Sequence, residues 1–414
     1  MKKCIKLTAL TILTLTALAS CDSKKSEETQ LTAGLITLHD ENSTYDKNFI
    51  DAFNAACEAE NVKPLVKTGV PEGNDAYDKA IDLVESGCKF IFADSFGHED
   101  YILKAAKEES SVQFAHATGT KAHTEKVSNF HNAFASIYEG RYLAGVAAGL
   151  KLQDMIEKDP TTSKKLGYVG AYTYAEVISG YTSFFLGARS VVSDVTMDVQ
   201  FTGSWYDETA EKTAAETLIS KGCSVISQHA DSWGAPSACE TAKIPNVSYN
   251  GSTEARCPDT YIVSSKIDWQ PYFQYCLQQI KAGKSIDTDW TGTLGSTLTN
   301  GSVALCDFGK KATVSGTDTK INEVAAKLRD GSLQVFDTSK FTVSGANVKS
   351  TMKVDADGHI TSYLADVDTD AAYTGDTEAI ETKNGITYFA ESSKRSAPYF
   401  DITIDGINLL NSKY

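Results

Sequence analysis

Motifs that carry catalysis are missing from this sequence. It has no Gly-x-Ser-x-Gly elbow, no His-Glu-x-x-His zinc motif and no Gly-x-x-x-x-Gly-Lys-Ser/Thr phosphate loop. It also has no Cys-x-x-Cys pair, which argues against a zinc ribbon and a thioredoxin-like redox site. These absences favour a binding function over an enzymatic one, and we expect neither a cofactor nor a metal.

Positive charge and long apolar runs are also scarce. The chain has 39 Lys and Arg against 54 Asp and Glu, a formal net charge of −15. No basic patch is available for a nucleic acid backbone, so a nucleic acid partner is not expected. The N-terminal apolar run, residues 7–18, is shorter than the roughly 20 residues that span a bilayer.

That short run has the character of a signal peptide. Three lysines within the first six residues precede it, and it ends in Leu-Ala-Ser before Cys21. We therefore predict a signal peptide over 1–20, a lipid on the sulfur of Cys21 and a polar tether over 21–30. The predicted location is the extracytoplasmic face of the cell membrane, with the protein held by its lipid anchor.

The cysteines of the mature chain do not define a framework. Their number is odd, and their spacing does not specify any disulfide pairing. Most are interpreted as small buried apolar residues. They are Cys57, Cys88, Cys223, Cys239, Cys257, Cys276 and Cys306.

From residue 31 to about 251, short apolar strands alternate with amphipathic helices. This pattern predicts parallel βαβ units covered on both faces. The order helix, glycine stop, buried strand occurs at 82–94 and again at 217–229. The repetition indicates two similar doubly wound lobes, whose ligands bind at the carboxyl ends of the strands.

After residue 283 the composition shifts towards Thr, Ser, Gly and Asp. Strands are predicted at 338–345, 349–354, 359–367, 385–391 and 399–407, and we interpret the region as a β-rich extension of the second lobe. The turn at Asp355–Gly358 resembles a calcium loop, but Lys353 and Leu364 would then occupy positions that need carboxylates. A hairpin turn is therefore preferred there.

Aromatic side chains recur where predicted strands end, with polar residues beside them. A flat heteroaromatic ligand suits this mixture, because rings stack on its faces and polar groups read its edge. Packing beneath their own loops is the alternative for these aromatics. The candidate ligand-binding residues are Phe49, Ser95, Phe96, Glu176, Trp205, Asp231, Asn250 and Trp269.

Seven stretches in order resemble the basic membrane protein family of ABC-transporter substrate-binding lipoproteins. They are SFGHEDYILKAAKE, FAHATGTKA, FASIYEGRYLAGVAAG, GYVGAYTYAEVISGYTSFFLGARSV, GSWYDETAEKTAAETLISKG, SQHADS and IDWQPYF. The resemblance runs from about residue 31 to about 285 and continues more weakly to 407.

The resemblance implies a type I periplasmic-binding fold, two Rossmann-like lobes joined by a hinge. We expect the N-terminal lobe at 31–130 and 264–283, and the C-terminal lobe at 131–263 and 284–414. It also implies a transporter permease as partner and a purine nucleoside or nucleobase as ligand, most simply adenine-like. In such relatives two aromatics hold the purine, and Phe49 and Trp205 stand at the matching positions. Departures from the family pattern at Ile50, and at Asn250 or Ser252, favour base recognition over ribose recognition.

Other functions on the same fold stay open. Some relatives in this family bind riboflavin-type ligands. A nucleoside-hydrolysing enzyme would need acid–base groups, for which Glu176 and Asp231 are the available candidates. A surface receptor is the third alternative.

Overall fold

The computed structural model describes residues 30–367 and 377–412, and the described residues from 31 onward form one compact unit. The predicted signal peptide and Cys21 lie outside the described residues. Among the described helices, none combines the length and apolarity needed to cross a membrane.

The strands are β1 (Thr32–Ile36), β2 (Lys63–Lys67), β3 (Phe90–Ala93), β4 (Gln113–Ala117), β5 (Phe130–Ala135), β6 (Lys165–Gly170), β7 (Thr196–Phe201), β8 (Val225–His229), β9 (Asn246–Tyr249), β10 (Tyr261–Ile267), β11 (Asp289–Gly292), β12 (Val303–Leu305), β13 (Met352–Val354), β14 (Ile360–Ala365), β15 (Thr377–Glu378), β16 (Ile380–Lys383), β17 (Ile386–Phe389) and β18 (Ile407–Leu409). The helices are α1 (Thr44–Ala59), α2 (Asn74–Glu85), α3 (Glu99–Glu108), α4 (Lys121–Glu125), α5 (Ile137–Lys158), α6 (Ala175–Arg189), α7 (Glu208–Ser220), α8 (Gly234–Ala242), α9 (Gln270–Lys281) and α10 (Thr317–Arg329).

Two large sheets organise these elements, as the alternating pattern predicts. The first has the order β11-β5-β4-β3-β1-β2, and its strand pairs are all parallel. The second has the order β12-β10-β9-β8-β6-β7-β18, in which β12 pairs antiparallel with β10. Each sheet is doubly wound, so the expected two-lobed α/β fold is confirmed.

The chain crosses between the two sheets three times: after β5, after β10 and after β11. The third crossing corrects the expectation that all of 284–414 belongs with the second lobe, because β11 lies at the edge of the first sheet. This strand is four residues long and reads Asp-Trp-Thr-Gly, which is too short and polar to be recognised as a buried strand.

The C-terminal region packs on the second lobe, but two of its predicted strands are not strands. Residues 338–345 contain a 3₁₀ turn at Thr338–Lys340, and of the segment 399–407 only Ile407 is paired, as the first residue of β18, which lies parallel to β7. Both segments bury alternate apolar side chains, among them Phe341, Val343, Ile402 and Ile404. Their apolar pattern therefore reflects burial in the core and not strand pairing.

The hairpin turn between β13 and β14 is confirmed. The strands pair antiparallel, and Asp355 Oδ1 accepts the backbone N–H groups of Asp357 and His359 at 3.0 and 2.9 Å. Within the described residues, one group of side chains has the spacing of metal ligands: Asp355, Asp357 and His359. Their carboxylate and imidazole contacts are those of the turn itself.

Candidate functional site

A cavity lies between the two lobes, at the carboxyl ends of their strands. The space between its walls measures about 370 Å³, but it is narrow, and the centre of a water-sized sphere reaches only about 20 Å³ of it. A purine is several times larger than a water molecule, so its entry requires the walls to move apart. The lining residues are Leu38, His39, Tyr45, Asp46, Ser95, Phe96, Thr118, Glu176, Trp205, His229, Asp231 and Tyr249.

Direct contacts between the lobes close this cavity. The Thr44 backbone N–H donates to the carbonyl oxygen of Asp231 at 3.1 Å. At the mouth, the rings of Phe96 and Tyr174 stack with centroids 4.9 Å apart and planes 24° apart. These two side chains, 45% and 37% exposed, are the large apolar residues that remain exposed in the described chain.

Five of the eight predicted site residues line the cavity: Ser95, Phe96, Glu176, Trp205 and Asp231. Trp205 is half-buried and lies edge-on to Tyr172, with ring centroids 5.0 Å apart. The N–H of Asp231 donates to the backbone carbonyl oxygen of Trp205 at 3.0 Å, which holds the two main-chain segments next to each other. Ser95, Phe96 and Asp231 lie within three residues of a strand end, as the sequence predicts. Glu176 instead belongs to α6, and Trp205 lies in the loop after β7, which ends at Phe201 and not at residue 205.

Phe49, Trp269 and Asn250 do not line the cavity. Phe49 and Trp269 are fully buried and stack on each other, with ring centroids 4.5 Å apart and planes 26° apart. Asn250 is buried in a left-handed conformation, and its N–H donates to the carbonyl oxygen of Ser265 at 2.9 Å. This packing corrects the expectation that Phe49 faces Trp205 across a ligand.

The helix start explains why Tyr45 lines the cavity and Phe49 does not. Ser43 is the N-cap of α1, and its side chain accepts the N–H of Asp46 at 3.2 Å. The helix therefore begins before Tyr45, so Phe49 lies one turn inside it and points into the core. The sequence signal was present, because Ser-x-x-Asp is a capping pattern that marks a helix start.

His229 and Tyr249 form a wall that was not predicted. His229 Nε2 lies 3.3 Å from Glu176 Oε1, and its ring centroid is 4.7 Å from that of Tyr249. Behind them, the buried guanidinium of Arg141 lies 4.5 Å from the Tyr249 ring centroid and donates to the carbonyl oxygen of Gln228 at 2.8 Å. His229 ends β8 and Tyr249 ends β9. Their position at strand ends is the sequence signal that could have identified them.

The pKa values of two carboxyl groups of the site are shifted in opposite directions. Burial raises the pKa of Asp231 well above its usual value, and the charges of Asp46, Glu211 and Glu176 add to the rise. Burial also acts to raise the pKa of Asp46, but hydrogen bonds from His39 and Ser43 outweigh it, and the pKa is lowered. The shifts favour the ionised form of Asp46 and the protonated form of Asp231, and a protonated carboxyl can donate to a ligand acceptor.

Asp94 is a third buried carboxyl beneath the first-lobe wall, and replacing it should stabilise the protein at neutral pH. Burial raises its pKa well above the usual value, as do the charge and side chain of Asp46, and its Oδ2 has no hydrogen-bond partner. The folded state therefore binds more protons than the unfolded chain above about pH 4, so stability falls as pH rises from there to the folded pKa.

We expect Asp94→Asn to raise the free energy of unfolding at pH 7 by about 1–3 kcal/mol and to flatten its dependence on pH. Urea unfolding at several pH values measures both. The exposed Asp51→Asn is the control, since Asp51 pairs with Lys47 at the surface. A loss of stability in Asp94→Asn at pH 7 would show that the carboxylate is ionised and paired in the fold.

Comparisons with known proteins show what this chain is similar to. The family described as Bmp, ABC transporter substrate-binding protein PnrA-like, matches residues 36–313. A purine-binding protein of Brucella abortus is 34% identical over 216 residues, 52% of this chain and 57% of that protein. A protein of Haloferax volcanii named for glucose binding is 32% identical, over 49% of each chain.

A nucleoside-binding protein of Lactococcus lactis is 26% identical over 56% of this chain and 66% of its own length. The matches thus span about half to two thirds of these relatives. The solute-binding protein structure from Aeropyrum pernix superposes with a TM-score of 0.61 at 16% identity, covering 76% of this chain and 94% of that one. That likeness confirms the fold.

Proposed function

Because the chain belongs to the PnrA-like, or Bmp, family of ABC transporter substrate-binding proteins, we propose that it binds a purine base or nucleoside outside the cell and delivers it to an importer permease. The expected family resemblance is confirmed, and the members of this family are substrate-binding proteins. The residues that line the cavity support a flat, hydrogen-bonding ligand. The names of the Brucella abortus and Lactococcus lactis relatives point to the same ligand class.

One observation carries the proposal: aromatic side chains and carboxyl groups meet in the same cleft between the lobes. Trp205, Tyr45 and Phe96 offer ring faces, while Asp46 and Asp231 offer an ionised acceptor and a group that can also donate. Stacking contributes about 0.5–1.5 kcal/mol per aromatic pair beyond the burial of area. The carboxyl pair then reads an edge that carries both N–H groups and ring nitrogens, as adenine does.

The same groups argue against hydrolysis as the main function. Glu176 is engaged with His229, whose pKa is lowered by burial although Glu176 opposes the shift. Asp231 is then the remaining candidate acid or base, since hydrogen bonds from His39 and Ser43 hold the carboxylate of Asp46 as well. We therefore propose that these side chains position a ligand and do not turn it over.

The proposed location follows from the N-terminal residues. We propose that Cys21 carries the lipid and that the following polar residues tether the binding domain to the membrane. The permease and the membrane are then the protein's two partners besides its ligand.

Mass spectrometry of the protein extracted from its own membranes tests function and location together. Under native conditions we expect a complex with one purine base or nucleoside, and after denaturation a mass for residues 21–414 plus a diacylglyceryl group. Glucose in place of a purine would overturn the ligand class. A chain that begins before residue 21, or carries no lipid, would overturn the anchor.

A further inference from the structure

A segment outside the matched family region borders the ligand cleft. The family match ends at residue 313, and residues 391–398, here called the C-terminal strap, lie well beyond it. The strap connects core residues of the second lobe: Phe389 precedes it, while Tyr399 and Phe400 follow it, all fully buried. The Phe400 ring stacks on Phe336 with centroids 4.1 Å apart, so both ends of the strap are fixed.

From these ends the strap reaches across to the first lobe. The backbone N–H of Ser396 donates to Asp289 Oδ2 at 2.7 Å, and His123 Nε2 lies 2.8 Å from the same oxygen. Asp289 begins the edge strand of the first sheet. On the second-lobe side, the hydroxyl of Tyr138 donates to the carbonyl oxygen of Glu391 at 3.4 Å. The strap thus contacts both lobes beside the cleft.

Together with the lobes, the strap lines a second chamber, which is partly open to solvent. The centre of a water-sized sphere can reach about 200 Å³ of this outer chamber, compared with about 20 Å³ of the inner cavity. It shares Phe96, Thr118 and Glu176 with the inner cavity, so the two are adjacent. Its lining comprises Phe96, Thr118, Thr120, Tyr174, Ala175, Glu176, Asp366, Arg395, Ala397 and Pro398.

The polar groups of the outer chamber are mixed in sign and in hydrogen-bonding role. Arg395 is held by its own loop, since its Nε and Nη2 donate to the carbonyl oxygens of Ala397 and Pro398 at 3.1 and 3.0 Å. Thr120 Oγ1 is buried and has no hydrogen-bond partner, although its backbone N–H donates to Glu99. Glu176 and Asp366 add two carboxylates.

This mixture suits hydroxyl groups better than a phosphate. A hydroxyl both donates and accepts, so it can satisfy a carboxylate on one side and a guanidinium or threonine on the other. A phosphate would be repelled by two carboxylates and attracted by a single guanidinium. The chamber is therefore matched to a sugar-like, uncharged substituent.

We propose that the C-terminal strap completes a second subsite of the cleft, in which Arg395 and Thr120 bind the hydroxyl-bearing substituent of a nucleoside whose base occupies the inner cavity. This inference rests on the proposed function and extends it to a choice between ligands. Residues that lie outside the family match would then determine which ligand the protein prefers.

Calorimetric titration with adenine, adenosine and adenosine 5′-monophosphate tests the proposal. We expect Arg395→Ala and Thr120→Val each to weaken adenosine binding about tenfold, the effect of losing one or two hydrogen bonds, and to leave adenine within about twofold. The native protein should bind the monophosphate more weakly than adenosine. Thr120→Val keeps the branched shape and so remains informative if Arg395→Ala loosens the loop.

Lys394→Ala is the matched control, because Lys394 neighbours Arg395 but pairs with Glu381 at 2.7 Å, outside the chamber. Its affinity for all three compounds should equal that of the native protein. Unchanged adenosine binding in both test variants, or an equal loss of adenine binding, would overturn the role of the strap alone. Failure of the native protein to bind both adenine and adenosine would overturn the adenine-like ligand, and the role of the strap with it.

Discussion

Replacing Trp205 with alanine should weaken ligand binding by about 30- to 1000-fold, a loss on the order of 2–4 kcal/mol. The indole is the largest ring that lines the inner cavity, and it is half-buried there against Tyr172 and Tyr174. Truncation removes a stacking face and also opens the wall to water. Because Trp205 contributes its ring to the surface of the cavity more than to the core, folding should be affected less than binding.

Trp233→Ala is the matched control for this prediction. Trp233 is a half-buried tryptophan of the same lobe that lies under Arg256, 4.3 Å from the ring centroid to the guanidinium carbon, and does not line the cavity. Calorimetric affinity and thermal stability are measured on both variants. If Trp205→Ala lowers stability but keeps its affinity within about threefold, the indole only packs beneath its own loop.

Replacing Gly145 with alanine should destabilise the second lobe by about 3 kcal/mol, at the upper end of overpacking costs. A Cβ at this position would lie 2.0 Å from the carbonyl oxygen of Phe184, and a Cβ at Gly187 would lie 2.1 Å from that of Tyr142. Both obstacles are backbone atoms of the facing helix. Helices α5 and α6 would have to separate, which would move Glu176 at the start of α6 away from His229.

Alanine substitutions at two further glycines of α5 should cause smaller losses of stability than the one at Gly145. At Gly149 the nearest backbone atom, the carbonyl oxygen of Ala188, is 2.8 Å from a new Cβ, so an intermediate loss is expected. At Gly140 the nearest atom is Val303 Cγ1 at 3.0 Å, a side-chain methyl that can shift, so alanine should be nearly neutral there. Urea unfolding of residues 22–414 ranks the three variants, and equal midpoints would contradict the close helix contact.

The local pattern of apolar and polar residues was sufficient to predict the two lobes. Apolar runs of strand length, helical spacing between them and glycine stops specify βαβ units, because these features depend on residues close together in the chain. Since parallel strands present their carboxyl ends on one edge, the positions of Ser95, Phe96 and Asp231 followed from the strand ends.

The wrong prediction that Phe49 faces the ligand also had a local cause. The capping pattern at Ser43 and Asp46 sets the start of α1 and moves the ligand-facing aromatic from Phe49 to Tyr45. A spacing of four residues keeps both rings on one side of the helix, with centroids 4.8 Å apart. Only the first of them is near enough to the helix end to reach the cavity, and the second belongs to the core.

The sequence by itself determined two doubly wound lobes, the family and the strand ends around which the cleft forms. Tertiary structure alone decided that Trp269 stacks on Phe49, that Phe96 meets Tyr174 across the mouth and that the C-terminal strap rests on Asp289. Each of these contacts joins residues dozens to hundreds of positions apart. Periodicity reports which face of an element is buried, but it carries no information about which distant surface buries it.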